Sequence, residues 1–256
     1  MSAESEKLAE GTLISHLLEL RNRLIRALIA VGIVFMPCAY YSNNLYEFVS
    51  KPLLTKLPKD SHLIAMTVTS TFVTPFKLSF FVALFIAMPY VLYQIWAFVA
   101  PGLYKHEKRF ALPLILSSII LFYVGVAFAY LFVFPVMFEF FALAAPKSVV
   151  MMPDINAYLD FILTMFLAFG VAFEVPIVVV LLVITGVVPL AKLKEQRGYV
   201  LIGIFIIAAI LTPPDAVSQC IMAIPMYFLY EGGLLMAGAL SRMKRPDSED
   251  DQDPEK

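Results

Sequence analysis

Three acidic residues stand where acids are costly or conspicuous, and each brings a different chemistry. Glu174 lies in Phe173-Glu174-Val175-Pro176, near the middle of a long apolar stretch. A carboxylate at the centre of a bilayer costs about 2.5–3.5 kcal/mol even on insertion scales, so such a group is protonated, wetted or paired. Pro176 has no backbone N–H, which bends a helix and frees the carbonyl of Ala172. Together they predict a polar intramembrane site for a partner, a substrate or a proton. A neutral Glu174 hydrogen-bonded to a neighbouring helix is the alternative.

Glu19 belongs to Ser15-His16-Leu17-Leu18-Glu19-Leu20-Arg21-Asn22-Arg23. Glu19 and Arg23 are four apart, the spacing of a helical ion pair. Leu13, Leu17, Leu20 and Leu24 share one broad face, so the segment alone reads as an interfacial helix with snorkelling arginines. Glu107 lies in Leu103-Tyr104-Lys105-His106-Glu107-Lys108-Arg109, where an ion pair inside the loop is the plain account. Glu19 and Glu107 are expected on one side of the membrane at similar depth. Two carboxylates held there would bind a cationic peptide, because a guanidinium engages a carboxylate through two parallel N–H bonds.

Other acids have ordinary explanations. Asp215 follows Pro213-Pro214 and suits a turn. Asp160 and Glu139 are expected near outer span ends and Glu231 near an inner one, all interfacial. His16, His62 and His106 are scattered and form no zinc motif, and no GxxxxGK[ST] loop occurs. Cys38 and Cys220 lack metal-ligand spacing and suit small membrane hydrophobes. The chain is therefore not expected to be an enzyme, and no cofactor or nucleic acid is called for.

The elements that must position these groups follow from hydropathy. The 256 residues are 61% hydrophobic and 15% charged, against about 45–50% and about 25% in a soluble domain. Lipid must solvate the excess apolar surface. A bilayer core of about 30 Å takes about 20 apolar residues per helix, which predicts six spans at 24–41, 75–100, 110–138, 158–185, 199–211 and 217–235. The first ten residues carry Glu4, Glu6 and Glu10 against one lysine, unlike a cleavable signal. Leaving out the far-terminal Lys256, thirteen lysines and arginines fall on the N-terminal side of the predicted topology and five on the other, which predicts both ends inside. The fifth span would reach only about 20 Å, implying a thinned membrane or a shallow wet depression.

The segments between the spans also have expected roles. The outer stretches 42–74 and 140–157 are expected to form an ordered cap. The division expected is a cytoplasmic amphipathic segment (1–23), a six-span domain (24–240) and an acidic tail (241–256), the last disordered by its charge. No internal repeat suggests inverted transporter halves.

Several ordered motifs resemble the TatC family, the polytopic subunit of the twin-arginine protein translocase. They are His16 to Arg23, Tyr93-Gln94-Ile95-Trp96-Ala97-Phe98 and Leu103 to Glu107. Phe122-Tyr123 with Phe128-Ala129-Tyr130, then Ala168 to Pro176 and Leu211-Thr212-Pro213-Pro214-Asp215, complete the set. The resemblance implies an all-α membrane protein, a curved, glove-like bundle of six helices with short fifth and sixth spans, in a bacterial inner membrane. It implies a receptor for twin-arginine signal peptides that works with TatB-type and TatA-type single-span subunits and other copies of itself. Folded proteins would then cross using the proton-motive force. On this resemblance Glu19 and Glu107 bind the arginine pair, with Arg21 and Phe98 shaping the same surface. Pro52 supports the outer cap, Tyr130 the third span and Asp215 the outer hairpin; Glu174 is the intramembrane polar site, and Thr212 and Gln219 contact partner helices. A proton-coupled small-molecule transporter using Glu174 is the other function these residues allow.

Overall fold

The structure, a computed structural model, describes residues 3–54, 64–103, 111–144, 152, 154–212 and 215–243. It is built of helices: α1 (Ala3–Tyr40), α2 (Ser42–Leu54), α3 (Ser70–Leu103), α4 (Ala111–Phe128), a π-helical turn (Ala129–Val133), α5 (Phe134–Ala144), α6 (Ile155–Ala172), α7 (Val175–Ile184), α8 (Leu190–Glu195), α9 (Arg197–Leu211) and α10 (Ala216–Met243). Among the described residues, five stretches are long and apolar enough to cross a membrane: Ile14–Tyr40, Ser70–Val99, Leu112–Phe141, Ile155–Ile184 and Ala216–Ser241. Arg197–Leu211 is a shorter apolar helix. Its 15 residues reach only about 22 Å, so the expectation of a short fifth span holds. The sixth, expected short at 217–235, is instead a helix of 28 residues. Ala237, Ala239 and Leu240 are good helix formers and carry it past residue 235.

Packing divides the chain into two units, the first holding described residues up to Ile119 with 142–163, the second Ile120–Phe141 and residues from Thr164 onward. In the first, α1 runs unbroken through residue 23 and lies along α3. Its covered seam is narrow. Glu19, Arg23, Ala27, Val31, Val34, Phe35 and Cys38 recur at helical spacing and are buried or half-buried, while Leu17, Leu20, Leu24, Leu28 and Ile33 are exposed. The leucine face read from the sequence thus points away from α3, where lipid would solvate it. The seam ends at Arg23 and Glu19 and so fixes which side of α1 presents them.

The start of α6 enters the same unit through Leu159 and Leu163, which pack with Leu78 and with Tyr46, Phe81 and Val82. Lys77 Nζ binds Asp160 at 2.7 and 2.9 Å and Asn156 Oδ1 at 3.1 Å. Asp160 therefore has a partner on α3 rather than a purely interfacial role. Residues 64–66 lie beside the start of α6: Ile155 N–H donates to Ile64 O at 2.9 Å and Met66 N–H to Asp154 Oδ1 at 3.1 Å. These bonds join the two stretches expected to form a cap, and the first of those stretches contains α2.

In the second unit α7 and α10 pack closely, with α8 and α9 against α10. Val179, Val180, Leu193, Tyr230, Leu234 and Ala237 make its core. The uniformly apolar α7 ends where Thr185 Oγ1 donates back to Leu181 O at 2.7 Å. Gly186 then takes φ +72°, a conformation that costs a side-chain-bearing residue energy. The π turn precedes Pro135. Phe134 N–H bonds to Ala129 O, and the wider turn gives the proline ring room against the carbonyl one turn back.

Candidate functional site

The first candidate site forms where α1 and α3 run side by side. Arg23 donates to Glu19 Oε1 from Nε at 2.9 Å and from Nη2 at 2.6 Å. The ion pair expected from the spacing is present. Nη1 of the same arginine reaches Gln94 Oε1 at 3.4 Å, and Gln94 is only 4% exposed. On the same two helices His16 stacks on Phe98, ring centroids 4.2 Å apart. Glu19, Arg23, His16, Phe98 and Gln94 thus form one polar and aromatic cluster. Arg21 is exposed. Glu107 lies outside the described residues, as do Pro213 and Pro214.

Deeper in the same unit the indole Nε1 of Trp96 donates to Ser118 Oγ at 2.8 Å, both groups buried. This bond satisfies a donor that would otherwise be costly in an apolar setting, and it ties α3 to α4. Gln94 was not singled out by the sequence reading. A signal existed: between residues 80 and 99 it is the one amide among apolar, aromatic and proline residues.

The second candidate site is the junction of α6 and α7. Glu174 is 9% exposed and occupies the turn between them, with φ −76° and ψ −19°. Its N–H bonds to Val171 O and its carbonyl accepts from Val178 N–H, both at 3.0 Å. With no N–H on Pro176 for Ala172, the helix is interrupted there, the outcome expected from the proline. Glu174 stands at the N-terminal end of α7, the positive end of that helix's dipole.

Close packing holds this junction from two sides. A methyl group on Gly125 would lie 2.5 Å from Phe169 O and 2.9 Å from the Phe173 ring. One on Gly233 would lie 2.8 Å from Pro176 Cα. Phe128 packs against both Phe169 and Phe173. The residues before and after Glu174 are therefore gripped by neighbouring helices, α4 on one side and α10 on the other. Tyr130 is half-buried within the π turn.

Near the α9–α10 connection, Asp215 Oδ1 accepts the Ser218 N–H at 2.7 Å, a helix N-cap at the start of α10. Thr212 is buried, with its hydroxyl bonded to Ala208 O at 2.8 Å. Gln219 is half-buried on the first turns of α10. Farther along α10 Glu231 takes Arg197 Nη2 at 2.7 Å on one oxygen and Tyr227 OH at 2.9 Å on the other. Pro52 belongs to α2.

A helical membrane protein with a carboxylate–arginine–aromatic cluster on two long helices and a buried carboxylate at a helix break has the make-up of a transport or receptor subunit. Comparison with known families narrows this. Residues 15–225 match the model of the Sec-independent protein translocase protein (TatC) family. The chain is 48% identical over 250 residues to the Sec-independent protein translocase protein TatC of Azotobacter chroococcum, covering 98% of each. It is 54% identical over 225 residues to that of Haemophilus influenzae, covering 88% of each. A crystal structure described as the twin arginine translocase receptor TatC superposes with a TM-score of 0.79 at 37% identity, covering 89% of this chain and 100% of that one.

The chain belongs to the TatC family of Sec-independent protein translocase subunits. The family is one of non-enzymatic transport subunits, which agrees with the absence of catalytic motifs in the sequence. The small-molecule transporter that Glu174 alone would allow gains no support from these matches.

Proposed function

We propose that this chain is the receptor and core subunit of a twin-arginine translocase. It binds signal peptides bearing two consecutive arginines and then recruits partner subunits so that folded proteins cross the membrane. The observation that carries this is the position of Glu19. Its carboxylate is held at the end of the α1 seam, one helical turn from His16, which stacks on Phe98, and it already engages a guanidinium, the group a twin-arginine peptide presents.

Glu107 supplies the second carboxylate, and Arg21 and Phe98 shape the surface around it. Both termini are cytoplasmic and the membrane is a bacterial inner membrane, which sets this surface where a signal peptide emerges. Glu174 serves as the polar intramembrane site, with Thr212 and Gln219 contacting helices of TatB-type and TatA-type subunits or of other copies of the chain. Pro52, Tyr130 and Asp215 are supports, and the proton-motive force supplies the energy.

The test is crosslinking of a twin-arginine peptide to membranes holding Glu19→Ala or Glu107→Ala protein. Each variant is expected to insert normally and lose the crosslink. Normal crosslinking in both would remove the two acids from the site.

A further inference from the structure

Arg26 carries its charge on a flank of the α1–α3 pair that no other part of the described chain covers. The two helices are antiparallel, since His16, Arg23 and Phe35 of α1 meet Phe98, Gln94 and Phe80 of α3 in turn. Asn22 and Arg26 each come one place before a seam residue, Arg23 and Ala27, and Tyr93 stands in the same relation to Gln94. Antiparallel neighbours are related by a two-fold axis perpendicular to both, so these positions fall on one flank of the pair. Tyr90 lies one turn from Tyr93, with ring centroids 6.1 Å apart. All four residues are exposed, and the Arg23–Gln94 contact sets them at similar height. Among the described residues, the Arg26 guanidinium, the Asn22 amide and the two tyrosine hydroxyls have no hydrogen-bond or ion-pair partner.

The surroundings point to lipid. On the same flank, toward the C-terminal end of α1, the exposed residues are Ile29 and Ile33 of α1 and Ile86 of α3. On the opposite flank Leu28, Leu24, Leu20 and Leu17 stay exposed and run about 13 Å past the level of Arg26. The polar group is therefore local to one flank, at a height where the other flank is still apolar. A guanidinium that faces hydrocarbon is costly unless it reaches a polar partner, and its long stem lets it reach toward the head groups.

We propose that Arg26, Asn22, Tyr90 and Tyr93 bind the phosphate of an anionic glycerophospholipid whose acyl chains lie along Ile29, Ile33 and Ile86. The phosphate only accepts hydrogen bonds, and the four side chains each offer donors. The guanidinium fork matches two phosphate oxygens. A choline head group would bring a cation for which this flank holds no free acid, because Glu19, one turn from Asn22, is bonded to Arg23. A glycerol head group brings no such charge. The four residues lie on one flank of two helices held together by the α1 seam, so the donors converge without rearrangement of the backbone.

The test reconstitutes the full-length protein in nanodiscs of phosphatidylglycerol and phosphatidylcholine in equal amounts and weighs the lipids that stay bound by native mass spectrometry. The natural chain should retain phosphatidylglycerol in preference. Arg26→Gln should lower that retention about tenfold, the scale of one lost charge-assisted bond. Arg26→Lys keeps the charge but not the fork and should keep the preference with weaker retention. Tyr90→Phe combined with Tyr93→Phe should lower retention about two- to fivefold. Lys194→Gln removes an exposed charge from a different helix and should leave retention unchanged. Excess inorganic phosphate should not displace the lipid, because the acyl chains add apolar contact along the isoleucines. Emission from Trp96, the one tryptophan, reports folding in each protein.

Natural retention in Arg26→Gln overturns the site. Equal losses in Arg26→Gln and Lys194→Gln also overturn it, since the lipid would then follow net charge alone. Displacement by inorganic phosphate would show a site for the free anion and not for a lipid. Equal retention of the two lipids by the natural chain overturns the choice of an anionic head group.

Discussion

His16 lays its imidazole on the Phe98 ring with the two planes 22° apart, so α1 and α3 are joined by a stack within the same cluster as the Glu19–Arg23 ion pair. His16 is exposed and Phe98 half-buried, which makes this contact a clamp at the edge of the helix pair and not part of its core. Such stacks contribute about 0.5–1.5 kcal/mol beyond the area they bury.

A double-mutant cycle of His16→Ala and Phe98→Ala should therefore show a coupling of about 0.5–1.5 kcal/mol. The readout is denaturant unfolding of the solubilised protein followed through Trp96. If Phe98 acts in peptide binding only through α1, the two single variants should weaken a twin-arginine peptide to the same degree. A coupling near zero would show that the stack does not hold α1 on α3.

The two neighbouring glycines of α10 should behave oppositely. A methyl on Gly233 meets Pro176 Cα at 2.8 Å, backbone that cannot step aside, whereas one on Gly232 meets nothing within 4 Å. Gly233→Ala is expected to destabilise by about 1–3 kcal/mol through overpacking and to disturb the Glu174 turn next to Pro176. Gly232→Ala should be neutral or stabilise by up to about 1 kcal/mol, because alanine loses less freedom in a helix. Thermal unfolding of both proteins, measured side by side, checks the pair. Equal effects would show that the α7–α10 approach is looser than the geometry here.

Much of this was legible in the sequence, and the division has a physical basis. Hydropathy located the membrane helices because lipid solvates almost any apolar face, so composition alone marks them. The Glu19–Arg23 pair and the break at Pro176 were legible because each is set within one or two helical turns. The contacts Arg23–Gln94, Lys77–Asp160 and Arg197–Glu231 join residues 71, 83 and 34 apart, and no local period announces them. Helix α2 was hidden inside a stretch expected only to be an ordered cap. The π turn was also missed, though Pro135 was its signal.

The contact between residues 64–66 and α6 should depend on pH in a defined direction. The Met66 N–H, helped by the amides of Ala157, Asn156 and Ile155, holds the Asp154 carboxyl below its ordinary value of 3.8, against a smaller opposing push from burial. A carboxyl lowered on folding takes up its proton more readily in the undocked chain. Its contribution is therefore complete above the ordinary carboxylate range and drains away as pH falls through that range toward the lowered value. Protection of the Met66 amide against hydrogen exchange, corrected for the intrinsic rate, should be flat from about pH 7 to about pH 5 and fall toward about pH 3. Asp154→Asn should lower the protection at neutral pH and flatten the profile. A natural protein whose protection ignores pH would show that the Asp154 bond does not hold this contact.

The start of α10 offers a test that separates a cap from a charge. Asp215 accepts the Ser218 N–H at 2.7 Å, three residues on, which satisfies one of the donors that a helix leaves open at its first turn. The negative charge also faces the positive end of the α10 dipole. Asp215→Ala removes both effects and should cost about 1 kcal/mol. Asp215→Asn keeps the acceptor and loses only the charge, so it should retain most of the stability. Thermal unfolding of the two variants gives the stability order, and export of a twin-arginine cargo in cells gives the functional one. If capping of α10 is the contribution of Asp215, both orders should agree, with Asn close to the natural chain and Ala below it. An Asn variant that is stable yet fails to export would instead show that the carboxylate charge at this hairpin is needed in its own right.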